Sequence, residues 1–141
     1  MITYFIVFSL LGYLLGSIPS AVWIGKSLYG VDVREHGSKN AGATNTFRIL
    51  GKKAGILVLL IDVLKGLLAT LAPLLIASEL HEKQLILLQL IVSICAFFGH
   101  VFPLFAQFRG GKGVATSLGI IDYERAAKMS GANFWIYKGK F

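Results

Sequence analysis

The sequence predicts an all-α membrane protein: a polytopic bundle of three or more transmembrane helices, with polar and glycine-rich loops on the cytoplasmic side. Hydrophobic residues make up 55% of the 141 residues and charged residues only 15%, whereas about a quarter of a typical soluble domain is charged. The apolar content excludes intrinsic disorder. It also argues against a nucleic-acid-binding protein, although the formal net charge is +7.

Three apolar runs are long enough to cross the hydrocarbon core, which takes about 20 residues in a helix. The run 2–24 has no charged residue, and the run 85–108 has no Asp, Glu, Lys or Arg. The run 54–77 carries only Asp62 and Lys65. The three runs therefore predict three membrane spans.

Proline predicts irregular helix at the ends of two of these runs. Pro19 is expected to kink or end the first helix, and Pro103 indicates that the last part of the third run is not regular helix. The first run also contains Gly12 and Gly16, a spacing of small residues that lets another helix approach closely. This stripe favours packing within the chain over dimerisation.

The basic residues predict the orientation in the membrane. The segment from residue 25 to residue 53 carries six, the segment from Arg109 onward carries another six, and the turn 78–84 carries Lys83 alone. Since Lys- and Arg-rich loops stay in the cytoplasm, the N-terminus is expected outside and both basic segments inside. The first basic residue, Lys26, follows the first apolar run, which favours a retained helix over a cleaved signal peptide.

The segment 34–48 is the first candidate for chemistry. It combines small hydrogen-bonding side chains with glycine and with the cations Arg34, Lys39 and Arg48. Such a set suits an oxyanion with several acceptor oxygens, such as phosphate. The alternative is an ordinary polar loop whose Asn and Gly residues make turns. The candidate ligand-binding residues in this segment are Ser38, Asn40, Gly42, Thr44, Asn45 and Arg48.

A second candidate is the glycine-rich stretch Gly110, Gly111, Lys112 and Gly113. It places a cation in a flexible backbone just before a helix expected over residues 114–121. A helix N-terminus adds its positive dipole end, so phosphate binding fits again. The stretch is not a Walker loop, because that motif requires Ser or Thr directly after the Lys.

Three further polar residues lie within the apolar runs. His100, beside the glycine-rich stretch, is expected either to polarise a substrate or donate to a phosphate, or to be a packing histidine. Asp62 and Lys65 are three residues apart and so share a helix face. A charged group at membrane depth costs about 3 kcal/mol on insertion scales. The pair is therefore expected to face the interior, either as a structural ion pair or near a site.

No nucleophile and no metal site is evident from the sequence. The single cysteine, Cys95, lies in the middle of an apolar run, where a thiolate is disfavoured. The three histidines show no metal-ligand spacing. A covalent intermediate is therefore not expected, and any catalysis would depend on positioning and charge stabilisation.

These motifs resemble the bacterial membrane glycerol-3-phosphate acyltransferases that use acyl phosphate as donor. The matching stretches are 16–19, 34–45 with 47–48, 62–66, and 99–103 with 108–116, within about residues 1–120. The resemblance implies that glycerol 3-phosphate and acyl phosphate give lysophosphatidic acid and inorganic phosphate, without a cofactor or metal. It also implies a multi-pass protein of the bacterial inner membrane, with the lipid bilayer and these two substrates as its partners.

The resemblance implies two groups of site residues. The catalytic group comprises Ser38, Arg48, His100 and Lys112. The substrate-binding group comprises Asn40, Gly42, Thr44, Asn45, Lys65, Gly110, Gly111 and Gly113.

The last part of the chain departs from the resemblance. Family members are longer, with about seven membrane helices and a later segment that completes the site. Residues 1–120 are therefore interpreted as the N-terminal part of an acyltransferase domain, and residues 121–141 as a non-family tail of the kind a frameshift, a premature stop or a partial gene would produce. The alternative is a genuine short variant. Little or no acyltransferase activity is expected. The alternative function is a non-catalytic phosphate-binding or transport fragment, although the repeat symmetry expected of a transporter is not visible.

Overall fold

A computed structural model describes residues 1–121, so the proposed tail lies, apart from Ile121, outside the described residues. All regular secondary structure in residues 1–121 is α-helix or 3-10 helix, and these residues form no strand, which confirms the all-α prediction. The α-helices are α1 (Ile2–Gly16), α2 (Ser20–Tyr29), α3 (Ala43–Leu50), α4 (Lys52–Leu71), α5 (Glu82–Val101) and α6 (114–121, where the description ends). Short 3-10 segments cover Val33–Glu35, Ala72–Glu79 and Leu104–Ala106.

Three helical segments of the described chain are long and apolar enough to cross a membrane: Ile2–Tyr29, Lys52–Glu79 and Glu82–Ala106. They agree with the three predicted runs. Large apolar side chains point outward along all three, for instance Leu10, Leu60 and Leu90, which are 57%, 60% and 49% exposed. In a water-soluble protein so many exposed aliphatic side chains would be a liability, and here they form the surface that faces lipid.

Proline interrupts the first and third spans as predicted. α1 ends at Gly16 and α2 begins directly after Pro19, because proline has no N–H to continue the helical hydrogen bonds. The break leaves the carbonyl of Ile18 free to accept from Lys65 Nζ at 2.8 Å. α5 ends at Val101, just before Pro103, and the chain continues as a short 3-10 turn.

The small residues of α1 pack against α5. A Cβ atom on Gly12 would lie 2.7 Å from Cγ1 of Val92, and a Cβ on Gly16 would overlap the backbone of Ala96. Only glycine allows the two helices to approach this closely. The stripe is therefore an intramolecular packing surface, as the sequence analysis favoured over dimerisation.

Two apolar clusters hold the bundle together. One lies where α1, α4 and α5 meet and centres on Phe8, Leu88 and Val92. The other lies between α2 and α4 and includes Val33 from the segment that follows α2, with Val58 of α4. The second cluster thus anchors that segment to the bundle and fixes where the polar residues after it lie.

Candidate functional site

A cleft of about 230 Å³ opens at the end of the bundle where both polar segments lie. It lies between the first loop (residues 30–42), α3, the second loop (residues 102–113) and the start of α6. Most of the predicted site residues line it, although they come from segments about 60 residues apart. These residues are Ser38, Asn40, Gly42, Thr44, Asn45, Arg48, His100, Lys112 and Gly113.

Three predicted site residues lie behind the cleft rather than on its wall. Lys65 and Gly110 line a smaller space next to it, together with the His100 ring. Gly111 is buried, and a Cβ atom there would overlap His100 Nε2 and lie 2.9 Å from the carbonyl oxygen of Ala41. These three residues therefore support the cleft from behind and present no side chain to it.

Asn45 organises the first loop from within. Its amide nitrogen donates to the carbonyls of Val33, His36 and Asn40 at 2.8, 3.1 and 3.1 Å. Its carbonyl oxygen accepts from the backbone N–H of Ser38 at 2.9 Å. The side chain is 2% exposed, and these four bonds engage both ends of its amide. Although it borders the cleft, Asn45 acts as a brace for the loop.

Arg34 joins the first loop to the second. Its guanidinium donates to both oxygens of Asp32, at 2.9 and 2.7 Å, and to the carbonyl of Ala106 at 2.9 Å. The hydrogen bond from Arg34 holds the pKa of the Asp32 carboxyl well below its usual range, and Asp32 raises the pKa of Arg34. Arg34 is one of the cations that the sequence suggested for a phosphate-binding loop, but its charge is balanced within the loop. The aspartate two residues earlier was the available signal.

The second loop is held by close backbone packing. The N–H of Gly111 donates to the carbonyl of His100 at 3.2 Å, and the carbonyl of Gly110 accepts from the N–H of Ala41 at 3.4 Å. Gly113 has φ +77°, and a Cβ atom there would overlap the ring of Phe97. Glycine is therefore required by space as well as by backbone conformation.

α6 begins at the cleft, as the sequence predicts. Its first residues, Val114 and Ala115, line the cleft wall, and Ser117 closes the first turn by donating to the carbonyl of Gly113 from both its N–H (2.8 Å) and its hydroxyl (3.0 Å). The backbone N–H groups of this first turn have no carbonyl of their own helix to bond. They provide hydrogen-bond donors and the positive end of the helix dipole at the cleft.

Two cations face this cleft without a balancing acid. Arg48 and Lys112 are both exposed and line the wall, and within residues 1–121 neither forms an ion pair. Ser38 and Thr44 add hydroxyl groups beside them. The cleft therefore matches a small, multiply charged oxyanion.

Asp62 is the cleft residue that the residue-level prediction missed. It is 1% exposed yet borders the cleft. Its Oδ1 accepts from Ser20 Oγ at 2.7 Å and lies 3.0 Å from Lys65 Nζ and 3.6 Å from His100 Nδ1. The expectation that Asp62 and Lys65 pair in the interior is met, and Asp62 is also part of the site. The cost of a charge within an apolar run had already placed Asp62 either in a structural ion pair or near a site, although not among the predicted site residues.

The chemistry available in the cleft is binding and positioning. Across residues 1–121, no three His, Cys, Asp or Glu side chains gather as a metal site would need. Cys95 is half-buried in the middle of α5 and does not line the cleft. What the cleft does offer is two cations, free N–H groups and hydroxyls, which stabilise negative charge.

Comparison with protein families and curated relatives gives one consistent match. The family described as "Glycerol-3-phosphate acyltransferase" matches residues 6–134. A "Glycerol-3-phosphate acyltransferase" of Exiguobacterium sibiricum is 55% identical over 112 residues, which cover 79% of this chain and 51% of that protein. A "Glycerol-3-phosphate acyltransferase 2" of Bacillus cereus is 52% identical over 121 residues, 86% of this chain and 57% of that protein. The chain thus spans about half the length of the curated relatives it matches.

Two solved structures share the fold. The crystal structure of PlsY (YgiH), described as an integral membrane glycerol 3-phosphate acyltransferase in its glycerol 3-phosphate form, is 37% identical with a TM-score of 0.74. Its lysophosphatidic acid form is 34% identical with a TM-score of 0.69. In both comparisons the match covers 93% of this chain and 60% of the other.

Proposed function

Since the chain belongs to the glycerol-3-phosphate acyltransferase family, we propose that its cleft binds glycerol 3-phosphate and takes part in acylation of that substrate by an acyl phosphate. The observation that carries the proposal is the position of Arg48 and Lys112. Arg48 is exposed on α3, Lys112 is exposed in the second loop, and both line one cleft at the N-terminus of α6. A phosphate monoester carries the charge and the acceptor oxygens that such a cleft complements.

The proposed reaction needs no covalent enzyme intermediate. The 1-hydroxyl oxygen of glycerol 3-phosphate attacks the carbonyl carbon of the acyl phosphate, and the bond from that carbon to the phosphate oxygen breaks. An ester, lysophosphatidic acid, and inorganic phosphate result, and the hydroxyl proton passes to a phosphate oxygen. Arg48, Lys112 and the first N–H groups of α6 would hold the phosphate groups and stabilise the charge that develops. The Ser38 hydroxyl would orient glycerol 3-phosphate.

The proposal places both loops at the cytoplasmic face of a bacterial inner membrane, with the N-terminus outside. The charge distribution supports this orientation. Lys39 and Arg48 lie between the first and second spans, Lys26 lies near the end of the first span, and Lys52 and Lys53 begin the second, all on the side where the cleft opens. Positively charged loops of this kind are retained in the cytoplasm.

Ligand binding is the most direct test for this chain. The purified protein in lipid nanodiscs would be titrated with radiolabelled glycerol 3-phosphate, and saturable binding that inorganic phosphate displaces is expected. Arg48→Ala and Lys112→Ala should each weaken binding about tenfold or more, because a hydrogen bond to a charged group contributes about 1.5–3 kcal/mol. No saturable binding by the unaltered chain would refute the proposal.

Arg109→Ala is the matched control. It removes an equal charge from the same loop as Lys112, three residues away, but Arg109 is exposed and does not line the cleft. The affinity of Arg109→Ala for glycerol 3-phosphate should stay within about twofold of that of the unaltered chain, because salt screens the interaction of an exposed charge outside the site with the ligand. An equal loss in Arg109→Ala would show that general basic charge, and not the cleft, binds the ligand.

A separate assay tests acyl transfer itself. The chain would be mixed with acyl phosphate and labelled glycerol 3-phosphate, and lysophosphatidic acid would be measured. On the sequence-based expectation, turnover is very low even where binding is normal. Turnover at a normal enzymatic rate would overturn that expectation and leave the binding proposal intact.

A further inference from the structure

We propose that Asp62 is a positioning residue of this site: its carboxylate orients the His100 imidazole, and His100 in turn holds the second loop that carries Lys112. The inference rests on the proposed function, since the second loop is taken to bind a phosphate group of the substrate. The inference gives a role to Asp62, the buried acid of the cleft, which forms no ion pair with Arg48 or Lys112.

The first step is the asymmetry of the Asp62 carboxylate. Oδ1 receives Ser20 Oγ at 2.7 Å and Lys65 Nζ at 3.0 Å, and it also lies nearest to His100. Oδ2 is buried and has no hydrogen-bond partner among the described residues. Burying a carboxylate oxygen unpaired is costly. Because Ser20, Lys65 and His100 all face Oδ1, the ion pair with Lys65 does not account for every group that faces this carboxylate.

The second step is the neighbouring atom that is also unpaired. His100 is 5% exposed, and its Nδ1 has no hydrogen-bond partner among the described residues. That nitrogen faces Asp62 Oδ1 at 3.6 Å, about half an ångström beyond a hydrogen bond. If Nδ1 and Oδ1 approach by that distance, His100 donates a hydrogen bond to the Asp62 carboxylate, and Nδ1 is no longer unpaired. The arrangement requires the proton of the neutral ring to lie on Nδ1, because a carboxylate only accepts.

The third step connects the ring to the second loop. The carbonyl of His100 accepts from the N–H of Gly111 at 3.2 Å. The ring edge carrying Nε2 fills the position that a Cβ of Gly111 would need, and Gly110 packs on the His100 carbonyl in the same way. A turn of the ring would therefore displace Gly111, and Lys112, which follows it directly, would move with it.

The tautomer of His100 can be measured directly. The chain has three histidines, and His36 and His81 are exposed, so a sample labelled with ¹⁵N-histidine in nanodiscs contains its own internal references. In the unaltered chain the His100 nitrogen shifts should show the proton on Nδ1. In Asp62→Asn that preference should be lost, and affinity for glycerol 3-phosphate should fall about fivefold or more.

Thr70→Val is the matched control. Thr70 is also a buried polar residue of α4 that hydrogen-bonds across to α5, through Ser93 at 2.9 Å, but it lies about two turns from Asp62 and does not line the cleft. A purely structural role for buried polar contacts between α4 and α5 predicts similar effects of both substitutions. The positioning role predicts that Thr70→Val leaves the His100 tautomer unchanged and the affinity within about twofold.

A second variant keeps the test decisive if Asp62→Asn does not fold. Asn at this position leaves Lys65 buried without its counter-ion, which is strongly destabilising. The double variant Asp62→Asn/Lys65→Met removes both charges and leaves no buried net charge. It should show the same loss of the Nδ1-protonated form. If either folded variant keeps the tautomer and the affinity of the unaltered chain, the inference is wrong.

The two readouts also separate this inference from the proposed function. A tautomer that responds to Asp62 in a chain that binds no glycerol 3-phosphate would uphold the Asp62–His100 contact and reject the proposed function. If the unaltered chain binds glycerol 3-phosphate normally, but substitution of Asp62 changes neither the His100 tautomer nor the affinity, the proposed function is upheld and the inference about Asp62 is rejected.

Discussion

The two loops that line the cleft are held in place by opposite means. The first loop is organised by side chains: Asn45 makes four hydrogen bonds to its backbone, and Arg34 pairs with Asp32 inside the loop and bonds to the carbonyl of Ala106 in the second loop. The second loop is organised by the absence of side chains, since Gly110 and Gly111 leave room only for the backbone and ring of His100.

This difference predicts which substitutions destabilise each loop. A loop braced by side chains loses hydrogen bonds when the brace is removed, but has room for a small addition. A loop packed backbone against backbone has few side-chain bonds to lose, but an added methyl group has nowhere to go. Both solutions bring cations to the same cleft, Arg48 beside one loop and Lys112 in the other.

The largest expected effect comes from adding a methyl group to the second loop. In Gly110→Ala the new Cβ would overlap the carbonyl oxygen of His100 and lie 2.6 Å from Pro103 Cδ. Overpacking of this kind costs about 3 kcal/mol. We expect a clearly lowered thermal unfolding midpoint in detergent and loss of glycerol 3-phosphate binding.

The same addition in the first loop serves as its control. Gly42 has φ −135°, which any residue adopts, and the atom nearest to an added Cβ is Asn40 Oδ1 at 3.3 Å. Gly42→Ala should therefore change the unfolding free energy by less than about 1 kcal/mol. Equal destabilisation by the two substitutions would contradict the comparison between the loops.

The next largest effect is expected from removing the brace of the first loop. Asn45→Ala leaves the partly buried Ser38 N–H and the buried Val33 carbonyl without their side-chain partner. It should cost about 2 kcal/mol, the usual range for hydrogen-bonding groups left unsatisfied. Asn45→Asp should cost more, because it sets a negative charge against carbonyl oxygens. Unfolding midpoints in detergent measure both, and an Asp variant as stable as the Ala variant would argue against the assigned amide orientation.

A smaller effect is expected at the link between the loops. Arg34→Met removes the hydrogen bonds to Asp32 and to the Ala106 carbonyl but leaves Asp32 with Lys26 at 3.1 Å. We expect a loss of about 1–2 kcal/mol and weaker ligand binding, since the two loops are no longer held together. Unchanged affinity would show that the Arg34 link does not align the cleft.

The pH dependence sharpens this prediction. Because Arg34 holds the pKa of Asp32 well below its usual value when the chain is folded, the unfolded chain binds more protons at acid pH. The stability from this pair is complete above about pH 4, the ordinary range of an aspartate, and is lost as the pH falls below it. Unfolding midpoints at pH 6, 4 and 3 should fall less steeply in Arg34→Met than in the unaltered chain. Parallel profiles would contradict the assignment.

The spans and their breaks were predictable because the relevant signals are local. Hydropathy over about 20 residues identifies a membrane span wherever the rest of the chain lies. Pro19 breaks a helix through its own ring and missing N–H, and the start of α6 follows from the glycines before it. The small-residue stripe at Gly12 and Gly16 predicted close packing, but the partner helix, α5, was visible only in the structure.

Composition identified the residues of the candidate site, but it did not show which of their side chains face the cleft and which face the backbone. Ser38, Arg48 and Lys112 stand out in sequence as polar groups in an apolar chain, and all three line the cleft. Asn45 stands out equally, and its amide is turned inward as a brace. Sequence spacing does not distinguish a side chain that faces a ligand from one that faces its own backbone.

By itself, the sequence determined that this is an all-helical membrane protein and predicted two polar segments suited to an oxyanion, because apolar length, helix breakers and charge are properties of short stretches of chain. The tertiary structure alone decided which charges remain available. Arg34 is neutralised by Asp32 and reaches Ala106, Asp62 meets His100 of another helix, and Arg48 and Lys112 are left to face the cleft. Apart from the Arg34–Asp32 pair, these contacts join residues far apart in sequence, and only packing of the helices and loops sets their distances.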